Sequence, residues 1–389
     1  MKPEPTVEPK RLEGPAGGAK EVLLQFLRLG LVAFGGPAAH LGLMQDELVR
    51  RRKWIDEQGF LDFVGATNLI PGPNSTELAM FLGQHRAGWR GLIAAGIGFV
   101  LPAFTIVLLL SVAYARFGAT PQGTWILESV KPVVVGVIAY ALWTLGRKAV
   151  RGWLTAAIGL AAFAVYFFAG WGELAVIFVG GLIASLVMNR RRLLQSSGGL
   201  PVLALLPPAL QSEMLNEVLR LFLTFAKIGA VLYGTGYVLI AFLYGEFVET
   251  GVLTQQQLID AVAIGQVTPG PLFTTATFIG YQLAGLPGAI AATVGIFLPS
   301  FLFVAISSPW IPRMRRSPWL GAFLDGVNVS ALALMGAVTL RLAHAAVVDA
   351  AGVILAMTSA ILLIRFHVSA TWLVLAGVAV GLLRYLLAG

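Results

Sequence analysis

The sequence predicts an all-α polytopic membrane protein made of two inverted-topology repeats, with about ten transmembrane helices and two re-entrant helical hairpins broken at Pro-Gly-Pro. The prediction comes from the apolar composition, a duplicated pattern of glycines and prolines, and opposite charges on equivalent connectors. Of 389 residues, 57% are hydrophobic and 12% are charged, whereas a soluble domain carries roughly 25% charged residues. Several apolar runs approach the ~20 residues that span a bilayer.

The composition also excludes several classes of function. The chain has no cysteine, which excludes disulfides, iron–sulfur clusters and thiol redox chemistry. Its four histidines, at positions 40, 85, 344 and 367, show no metal-ligand spacing, and no Walker A motif is present. We therefore expect a protein that is not an enzyme and that uses no metal or cofactor. The net charge of +8 follows from basic loops beside apolar runs, as in membrane proteins, and does not indicate nucleic-acid binding.

The first half of the chain is expected to contain five spans and one hairpin. Residues 1–21 are polar and rich in Pro, Gly and charge, which predicts a flexible tail. An apolar segment from Val22 to Met44 follows, and then a basic amphipathic connector from Asp46 to Asp62. Two apolar pieces too short to span flank the first Pro-Gly-Pro, at 60–70 and 74–85, and spans are predicted at 91–115, 125–147, 153–169 and 171–189.

The second half repeats the first. Residues 22–189 form one repeat, 190–213 a cytoplasmic linker and 214–389 the other repeat. The offset between matched residues drifts from 199 to 197, as single deletions would produce in a diverged duplication. The matched pairs include Phe26/Phe225, Gly30/Gly229, Gly35/Gly234, Asp62/Asp260, Gly72/Gly270, Gly83/Gly280, Gly88/Gly285, Pro102/Pro299 and Glu128/Asp325.

Charge on equivalent connectors indicates opposite orientations of the two repeats. The connector before the first hairpin carries the basic run 50–53, whereas its counterpart carries Glu246 and Glu249 and no Lys or Arg. The positive-inside rule places the first connector in the cytoplasm and the second outside. Five spans and one hairpin per repeat give the odd number of crossings that this requires. The N-terminal tail, despite its lysines, and Arg341 both fall outside in this topology.

Each Pro-Gly-Pro interrupts an apolar segment where a helix would otherwise run on. Proline lacks an N–H and glycine adds backbone freedom, so the helix must break. Paired breaks in the two halves of a transporter point to its binding site, and the N–H groups of the half-helix after each break favour an anion. The predicted ligands of the breaks and of the neighbouring glycine loop are Gly35, Gly36, Gly72, Asn74, Ser75, Thr76, Gly270, Thr274 and Thr275. The alternative is a pair of packing kinks with capping side chains.

Arg28 and Lys227 are cations within apolar segments and occupy equivalent repeat positions. A charge in the membrane costs about 2.5–3.5 kcal/mol on insertion scales, so it usually faces a cavity or a partner. Two pseudo-symmetric cations suit a doubly charged anion, and we expect both to bind substrate. Snorkelling to the interface is the alternative, because Arg28 lies one or two turns from the start of its segment.

Four acidic or basic residues and one histidine are candidates for coupling or gating. Glu77 lies just beyond the first break, and Glu128 and Asp325 are repeat mates. Lys131 lies three residues after Glu128, so the two could pair on one helix face. His40 follows a break predicted at Gly-Gly-Pro and could titrate near neutrality. Purely structural ion pairs, and a structurally satisfied histidine, are the alternatives.

These segments resemble the chromate ion transporter family in its fused, two-domain form. The resemblance is carried by FLRLGLVAFGGPAAHLG, RRRKW, LIPGPNSTELA, RAGWRG and GFVLPAF in the first half, and by TPGPLFTTATFIGY and IFLPSF in the second. It covers nearly the whole chain. It implies a secondary transporter that moves chromate, and oxyanions similar to sulfate, with efflux giving chromate resistance.

We therefore expect a multi-pass protein of the inner (plasma) membrane that exports chromate or a related oxyanion, driven by membrane potential, ion coupling or both. A proton-coupled importer of the sulfate type is the alternative, and a membrane receptor or membrane-embedded enzyme is a weaker one. The expected partners are the inorganic oxyanion and the lipid bilayer. The sequence leaves a homodimer open.

Overall fold

The computed structural model is helical throughout the part of the chain that it describes. It describes residues 18–190, 216–233, 236–308, 317–347 and 349–388, together with positions 311 and 314. Most of the predicted tail and of the predicted linker lies outside these residues, as do Gly234 and the second-half basic run 313–316 apart from position 314. No β-strand occurs in the described ranges, in agreement with the predicted all-α fold.

The first half contains seven helices. They are α1 Ala19–Val32, α2 Pro37–Met44, α3 Glu57–Thr67, α4 Asn74–Phe117, α5 Pro121–Ala149, α6 Trp153–Ala169 and α7 Glu173–Met188. Helix α2 continues into π-helical turns at Gln45–Arg51. The carboxylate of Asp56 accepts the N–H of Gly59 at 2.7 Å and begins α3, because an N-cap side chain satisfies a backbone donor that has no helical partner.

The described residues of the second half also contain seven helices, which correspond in order to the first seven. They are α8 Glu217–Val231, α9 Leu239–Leu243, α10 Gln255–Val267, α11 Leu272–Ser307, α12 Pro318–Ala346, α13 Ala350–Phe366 and α14 Ala370–Ala388. Helix α9 continues into π-helical turns at Tyr244–Val248, as α2 does in the first half. Thr254 caps α10 at the position equivalent to Asp56.

Helices α4 and α11 each contain one sharp reversal at equivalent residues. Gly88 has φ 61° and ψ −153°, and Gly285 has φ 61° and ψ −150°. A positive φ of this kind favours glycine. The reversal folds each helix into a hairpin whose two arms touch through backbone, since a Cβ at Gly83 would overlap the carbonyl of Gly91. The duplicated glycines of the sequence are therefore explained by two copies of one tight turn.

The first apolar segment, Val22 to Met44, is interrupted at its Gly-Gly-Pro sequence, where the sequence indicates a break. Helix α1 ends at Val32, and Gly35 and Gly36 take φ values of 103° and 79° before α2 begins. Side chains rarely adopt such values, so two successive glycines allow the chain to unwind there. The segment therefore contains a third type of break beside the two Pro-Gly-Pro breaks.

The two halves are interlocked by packing. Helix α1 packs on α4 and α8 packs on α11, and α4 and α11 contact each other. In both copies a glycine allows the close approach, because Gly30 faces the carbonyl of Phe99 and Gly229 faces that of Ile296. Helices α6 and α7 pack on α12, whereas α13 and α14 pack on α5. The last two helices of each half therefore cover the fifth helix of the other half.

The dimensions of the helices fit a bilayer. Five helices are long and apolar enough to cross it by length and composition, namely α4, α5, α11, α12 and α14, and further apolar helices of 10–17 residues include α6, α7 and α13. Large apolar side chains are exposed along α4 and α11, for example Leu101 at 44% and Leu302 at 53%. Exposed apolar surface of this extent suits contact with acyl chains. The chain is a multi-pass membrane protein.

Candidate functional site

The two Pro-Gly-Pro breaks lie together, and each is held by the other half of the chain. Gly72 donates its N–H to the carbonyl of Leu232 at 2.7 Å, and Gly270 donates its N–H to the carbonyl of Ala33 at 2.8 Å. Ala33 and Leu232 are themselves repeat mates at the ends of α1 and α8. Each helix break is therefore fastened to the first helix of the opposite repeat by a reciprocal pair of backbone hydrogen bonds.

Both breaks open onto one small cavity. Its volume is about 30 Å³, room for about one water molecule. Residues from both half-helix starts and from the glycine loop after α1 line it: Gly35, Gly36, His40, Pro73, Asn74, Ser75, Gly270, Pro271, Leu272 and Phe273. Of the predicted ligands, the structure brings the two loop glycines, Asn74, Ser75 and Gly270 to this cavity, together with the predicted gating residue His40.

The helix starts present amide groups to the cavity. In α4, Thr76 and Glu77 donate their N–H groups to the carbonyl of Pro73, at 2.8 and 3.0 Å. The N–H groups of Asn74 and Ser75 precede these and have no partner within the helix, as at any helix N-terminus. Partial positive charge from both helix dipoles therefore converges on the cavity.

The start of α11 has the same arrangement. Thr274 donates its N–H to the carbonyl of Pro271 at 3.0 Å. The N–H groups of Leu272 and Phe273 are thus the equivalents of those of Asn74 and Ser75. All four of these residues line the one cavity.

The predicted hydroxyl ligands divide into two groups. Thr274 and Thr275 donate their hydroxyls to backbone carbonyls of their own turn, at 2.9 and 2.8 Å, and lie outside the cavity lining. Thr76 is fully buried behind the lining, and its hydroxyl oxygen has no hydrogen-bond partner among the described residues. Ser75 is the one hydroxyl residue of the predicted set that lines the cavity.

His40 is buried at the cavity wall. Its Nε2 lies 3.0 Å from the carbonyl oxygen of Ala33, and because a carbonyl only accepts, Nε2 carries the hydrogen. Ala33 also accepts from Gly270, so the histidine supports the carbonyl that holds the second break. The other ring nitrogen, Nδ1, is buried without a partner among the described residues.

The predicted cations lie away from the cavity. Lys227 forms an ion pair with Glu246 in the π-helical turns after α9. Arg28 is exposed and lies near Glu47, the repeat mate of Glu246. Arg52 donates a hydrogen bond to Glu47 and, with Arg28 nearby, holds the pKa of that carboxyl below its ordinary value. The expected placement of a cation from each repeat at the binding cavity is not found.

Two further predicted charges, Lys131 and Asp325, have partners that the sequence did not indicate. Lys131 does not pair with the exposed Glu128, but lies 3.8 Å from the carboxylate of Asp260 on α10. Asp325 pairs with Arg151 at 2.9 Å. Both are contacts between the two halves of the chain. Sequence spacing favoured a local pair, whereas helix packing brings the halves together and supplies a different one.

Glu77 is fully buried in the first turn of α4. Neither of its carboxylate oxygens meets hydrogen-bond geometry with a described residue. The hydroxyl of Ser300 on α11, itself fully buried, lies beside this carboxylate. A Cβ at Gly72 would overlap both groups, so the two side chains meet directly beneath the first break.

The cavity contains polar residues that the sequence reasoning missed. Gln266, Thr268, Tyr237 and Thr371 all line it. A signal existed for Gln266, because it is the repeat mate of Asn68 and both amides precede a Pro-Gly-Pro. Thr371 lies in the first turn of α14 and donates its hydroxyl to the carbonyl of Gln266 at 3.2 Å, a tertiary contact without any local signal.

A larger polar vestibule of about 460 Å³ lies beside the first break. Asn74 lines both this vestibule and the cavity, so the two adjoin. The vestibule wall also includes Tyr233, Lys148 and the ion pair of Arg151 with Asp325. Lys148 is exposed, and no acidic partner for it occurs among the described residues. The vestibule therefore offers positive charge on the approach to the amide-lined cavity.

The opposite side of the site is sealed by the second hairpin. Helix α10 packs on α5, α12 and α14, whereas its equivalent α3 packs on α4 and makes at most marginal contacts with those neighbours among the described residues. The seal includes the Lys131–Asp260 pair, a hydrogen bond of 2.9 Å from Tyr114 to Asp260, and one of 2.7 Å from Gln256 to the carbonyl of Ala345. The two halves are thus equivalent in sequence but not in closure.

Among the described residues, no group of three His, Asp or Glu side chains is arranged to hold a metal ion. The buried acids Glu77 and Asp260 lie on different helices and in different contacts.

Comparison with known proteins agrees with the duplicated fold. Residues 20–185 and 219–382 each match the family described as chromate transporter. The chromate transport protein of Cupriavidus metallidurans is 32% identical over 382 residues, covering 95% of this chain and 94% of that protein. The probable chromate transport protein of Synechococcus elongatus is 34% identical over 335 residues, covering 83% of this chain and 84% of that protein.

A chromate transport protein of Pseudomonas aeruginosa is 31% identical over 339 residues, covering 83% of this chain and 81% of that protein. No solved structure gives a significant match. Two matched segments of nearly equal length, each with one Pro-Gly-Pro break, show that the chain belongs to the chromate transporter family in its two-repeat form.

Proposed function

We propose that this protein exports chromate or a related oxyanion, which binds between the two half-helix starts at the Pro-Gly-Pro breaks. The observation that supports this most is the convergence of two helix N-termini, one from each repeat, on a single cavity. Four N–H groups without helical partners, at Asn74, Ser75, Leu272 and Phe273, suit the oxygen atoms of a tetrahedral anion. A twofold arrangement of donors matches a doubly charged ligand.

The cavity has to widen before it can hold such an anion. Its volume of about 30 Å³ accommodates one water molecule. The α10 side of the site is closed, and the vestibule opens on the α3 side. The site is therefore contracted and accessible from one face. Movement of α3 toward its neighbours, and of α10 away from them, would exchange the two faces by the pseudo-twofold relationship of the repeats.

Charge supports loading from the cytoplasm. Lys148 and Arg151 line the vestibule, and the positive-inside rule assigns such short basic segments to the cytoplasmic face. Movement of a charge across the membrane is worth about 2.3 kcal/mol per 100 mV. A dianion that leaves a cell with a negative interior therefore gains roughly 4.6 kcal/mol per 100 mV. The membrane potential therefore favours export.

In this topology the chain has ten spans and two re-entrant hairpins in the inner membrane. The hairpins are formed by α3 with the first arm of α4, and by α10 with the first arm of α11. Arg341, which falls outside in this arrangement, pairs with Glu249 at 2.6 Å, so its charge is compensated there.

A proton-coupled importer of a dianion such as sulfate is the second candidate. One observation favours it: Glu77 is an acid buried beside the break without a basic partner among the described residues. Import against the membrane potential needs compensating cations, and a buried carboxyl is a group that could carry one.

Transport into everted membrane vesicles tests both candidates. The measurement is uptake of chromate, sulfate and molybdate, with and without an imposed potential that is positive inside the vesicle. An exporter driven by potential accumulates the dianion in everted vesicles, and collapse of the potential abolishes accumulation. Accumulation only in right-side-out vesicles would favour the importer. If no dianion moves in either orientation, oxyanion transport by this chain is wrong.

A further inference from the structure

Glu77 has no acidic counterpart in the second repeat. The equivalent residue, 198 positions later, is Thr275, whose hydroxyl donates to the carbonyl of Leu272 at 2.8 Å. Its neighbour Ser300 corresponds to Ala103, 197 positions earlier. A Cβ at Gly270 would approach the methyl group of Ala103, as one at Gly72 would meet Ser300, which confirms that the positions are equivalent.

This comparison separates a structural role of the carboxyl from a functional one. The second repeat forms the same Pro-Gly-Pro break and the same reciprocal backbone hydrogen bond with Thr275 and Ala103, although α11 opens with a 3₁₀ turn at Leu272–Thr274. The break therefore does not need a carboxyl at the position of Glu77, nor a hydroxyl at that of Ser300. An acid retained there without structural need points to a ligand.

The surroundings of Glu77 identify the class of ligand. The side chain is fully buried, and its two oxygens and that of Ser300 lack hydrogen-bond partners among the described residues. An ionised carboxylate in such a place is costly unless a cation accompanies it. Among the described residues, no Lys or Arg forms an ion pair with it. A proton is the smallest cation that completes the site, and a protonated carboxyl can donate to the Ser300 hydroxyl.

Tyr233 is the residue common to the surroundings of Glu77 and to the vestibule. It lies close enough to Glu77 to interact with it electrostatically, and it lines the vestibule. The vestibule lies on the open side of the molecule, and α10 closes the other side. The proton and the oxyanion would thus approach from one compartment.

We propose that Glu77 and Ser300 form a coupling-proton site, loaded past Tyr233 from the vestibule and occupied when the oxyanion is bound. The proposal rests on the proposed transport function. Glu77 lies two residues after Ser75 in the chain. Its negative charge would therefore repel a dianion held at the helix starts, and protonation removes that repulsion. One proton then moves with each dianion, and the net charge transferred per cycle is one rather than two.

The test uses the full-length protein in proteoliposomes, with chromate as the probe and sulfate as a second dianion. Equilibrium exchange is measured across a pH series, in sodium and in choline buffers, and the reversal potential gives the charge moved per anion. The variants are Glu77→Gln and Ser300→Ala, and the matched control is Glu57→Gln, which makes the same chemical change at an exposed position.

For the wild-type protein and Glu57→Gln, exchange should accelerate as pH falls and the reversal potential should correspond to one net charge. Glu77→Gln should exchange at a rate independent of pH, with a reversal potential that corresponds to two charges. Ser300→Ala reproduces the residue of the other repeat, so it should fold and should move the pH profile without flattening it.

Several results would overturn the proposal. One is that Glu77→Gln keeps the wild-type dependence of exchange rate on pH and the wild-type charge moved per anion. Another is that exchange requires sodium in place of protons. If Glu77→Gln does not fold, an unchanged pH profile in Ser300→Ala, together with no proton uptake by detergent-solubilised wild-type protein on addition of chromate, has the same effect. Failure of the wild-type protein to exchange chromate or sulfate at any pH would instead count against the proposed function.

Discussion

The N–H of Gly72 donates to the carbonyl of Leu232 at 2.7 Å, and thereby joins the helix break of one repeat to the first helix of the other. Gly270 and Ala33 repeat the contact at 2.8 Å. A helix break inside a membrane leaves backbone groups that lipid cannot satisfy. Here each repeat satisfies groups of the other, so neither break is complete in a single repeat.

Replacement of Gly72 should therefore damage the site more than an ordinary glycine substitution. The φ of 135° disfavours any side chain, and a Cβ would overlap the Ser300 hydroxyl and the Glu77 carboxyl. We expect Gly72→Ala to destabilise the protein by about 1–3 kcal/mol, the cost of a strained backbone, and to abolish transport. Thermal unfolding in detergent and vesicle uptake measure the two effects. Gly42→Ala is the control, because that helical glycine has no atom within 4 Å of the added methyl.

Ser75 supplies a side-chain hydroxyl beside the free N–H groups of the first half-helix. A hydrogen bond contributes about 1 kcal/mol, so Ser75→Ala should weaken oxyanion binding about fivefold without loss of stability. Competition between chromate and sulfate for uptake measures the affinity. Thr105→Ala, which removes an exposed hydroxyl on the same helix, should leave it unchanged. Equal effects of the two substitutions would place the anion elsewhere.

The basic vestibule should act on rate and not on the final affinity. Lys148 is exposed on the approach to the cavity, and charges in such positions attract ions over a distance that salt shortens. Lys148→Gln should slow chromate uptake at low ionic strength and have little effect at high ionic strength.

Arg28→Gln and Lys227→Gln should change chromate affinity less than twofold, because these cations lie beside connector glutamates and not at the cavity. A large loss of chromate affinity in either variant would show that the replaced cation binds the substrate.

The Lys131–Asp260 pair should hold the sealed face closed. The chain contains no cysteine, so single cysteines can report access at two equivalent positions, Asn68→Cys in the vestibule and Gln266→Cys behind the seal. The first should react quickly with a polar maleimide and the second slowly. Adding Lys131→Gln to the second reporter should accelerate its reaction, because the ion pair and its packing are lost. Equal reactivity of the two reporters in the unaltered background would show that the seal does not exist in the membrane.

Opposite orientation of the two repeats can be measured directly. Arg52→Cys and Thr250→Cys occupy equivalent connectors and are both exposed. An impermeant reagent added to intact cells should label the second and not the first, and everted vesicles should give the reverse. Labelling of both from the same side would reject the inverted topology, whatever the transport result.

The sequence predicted the all-helical membrane fold, the two repeats and the approximate bounds of the last three helices of the first half, because apolar length and duplicated glycines act locally. The bounds of α6, predicted at 153–169, are those observed. It also indicated which segments line the cavity, since Pro-Gly-Pro breaks a helix wherever it occurs. The Gly-Gly-Pro sequence likewise indicated a break, and Gly35 and Gly36 adopt positive φ there.

The chain by itself therefore determined where helices must stop, because proline and glycine restrict or free their own backbone. Only the tertiary structure decided which charges meet, because ion pairs form between helices that are distant in sequence. Lys131 pairs with Asp260 rather than with Glu128, three residues away. Lys227 pairs with Glu246 and Arg28 lies near Glu47, so neither cation lies at the cavity. Packing of one repeat against the other also decided that Glu77 is buried beneath the break, a placement that no local pattern specifies.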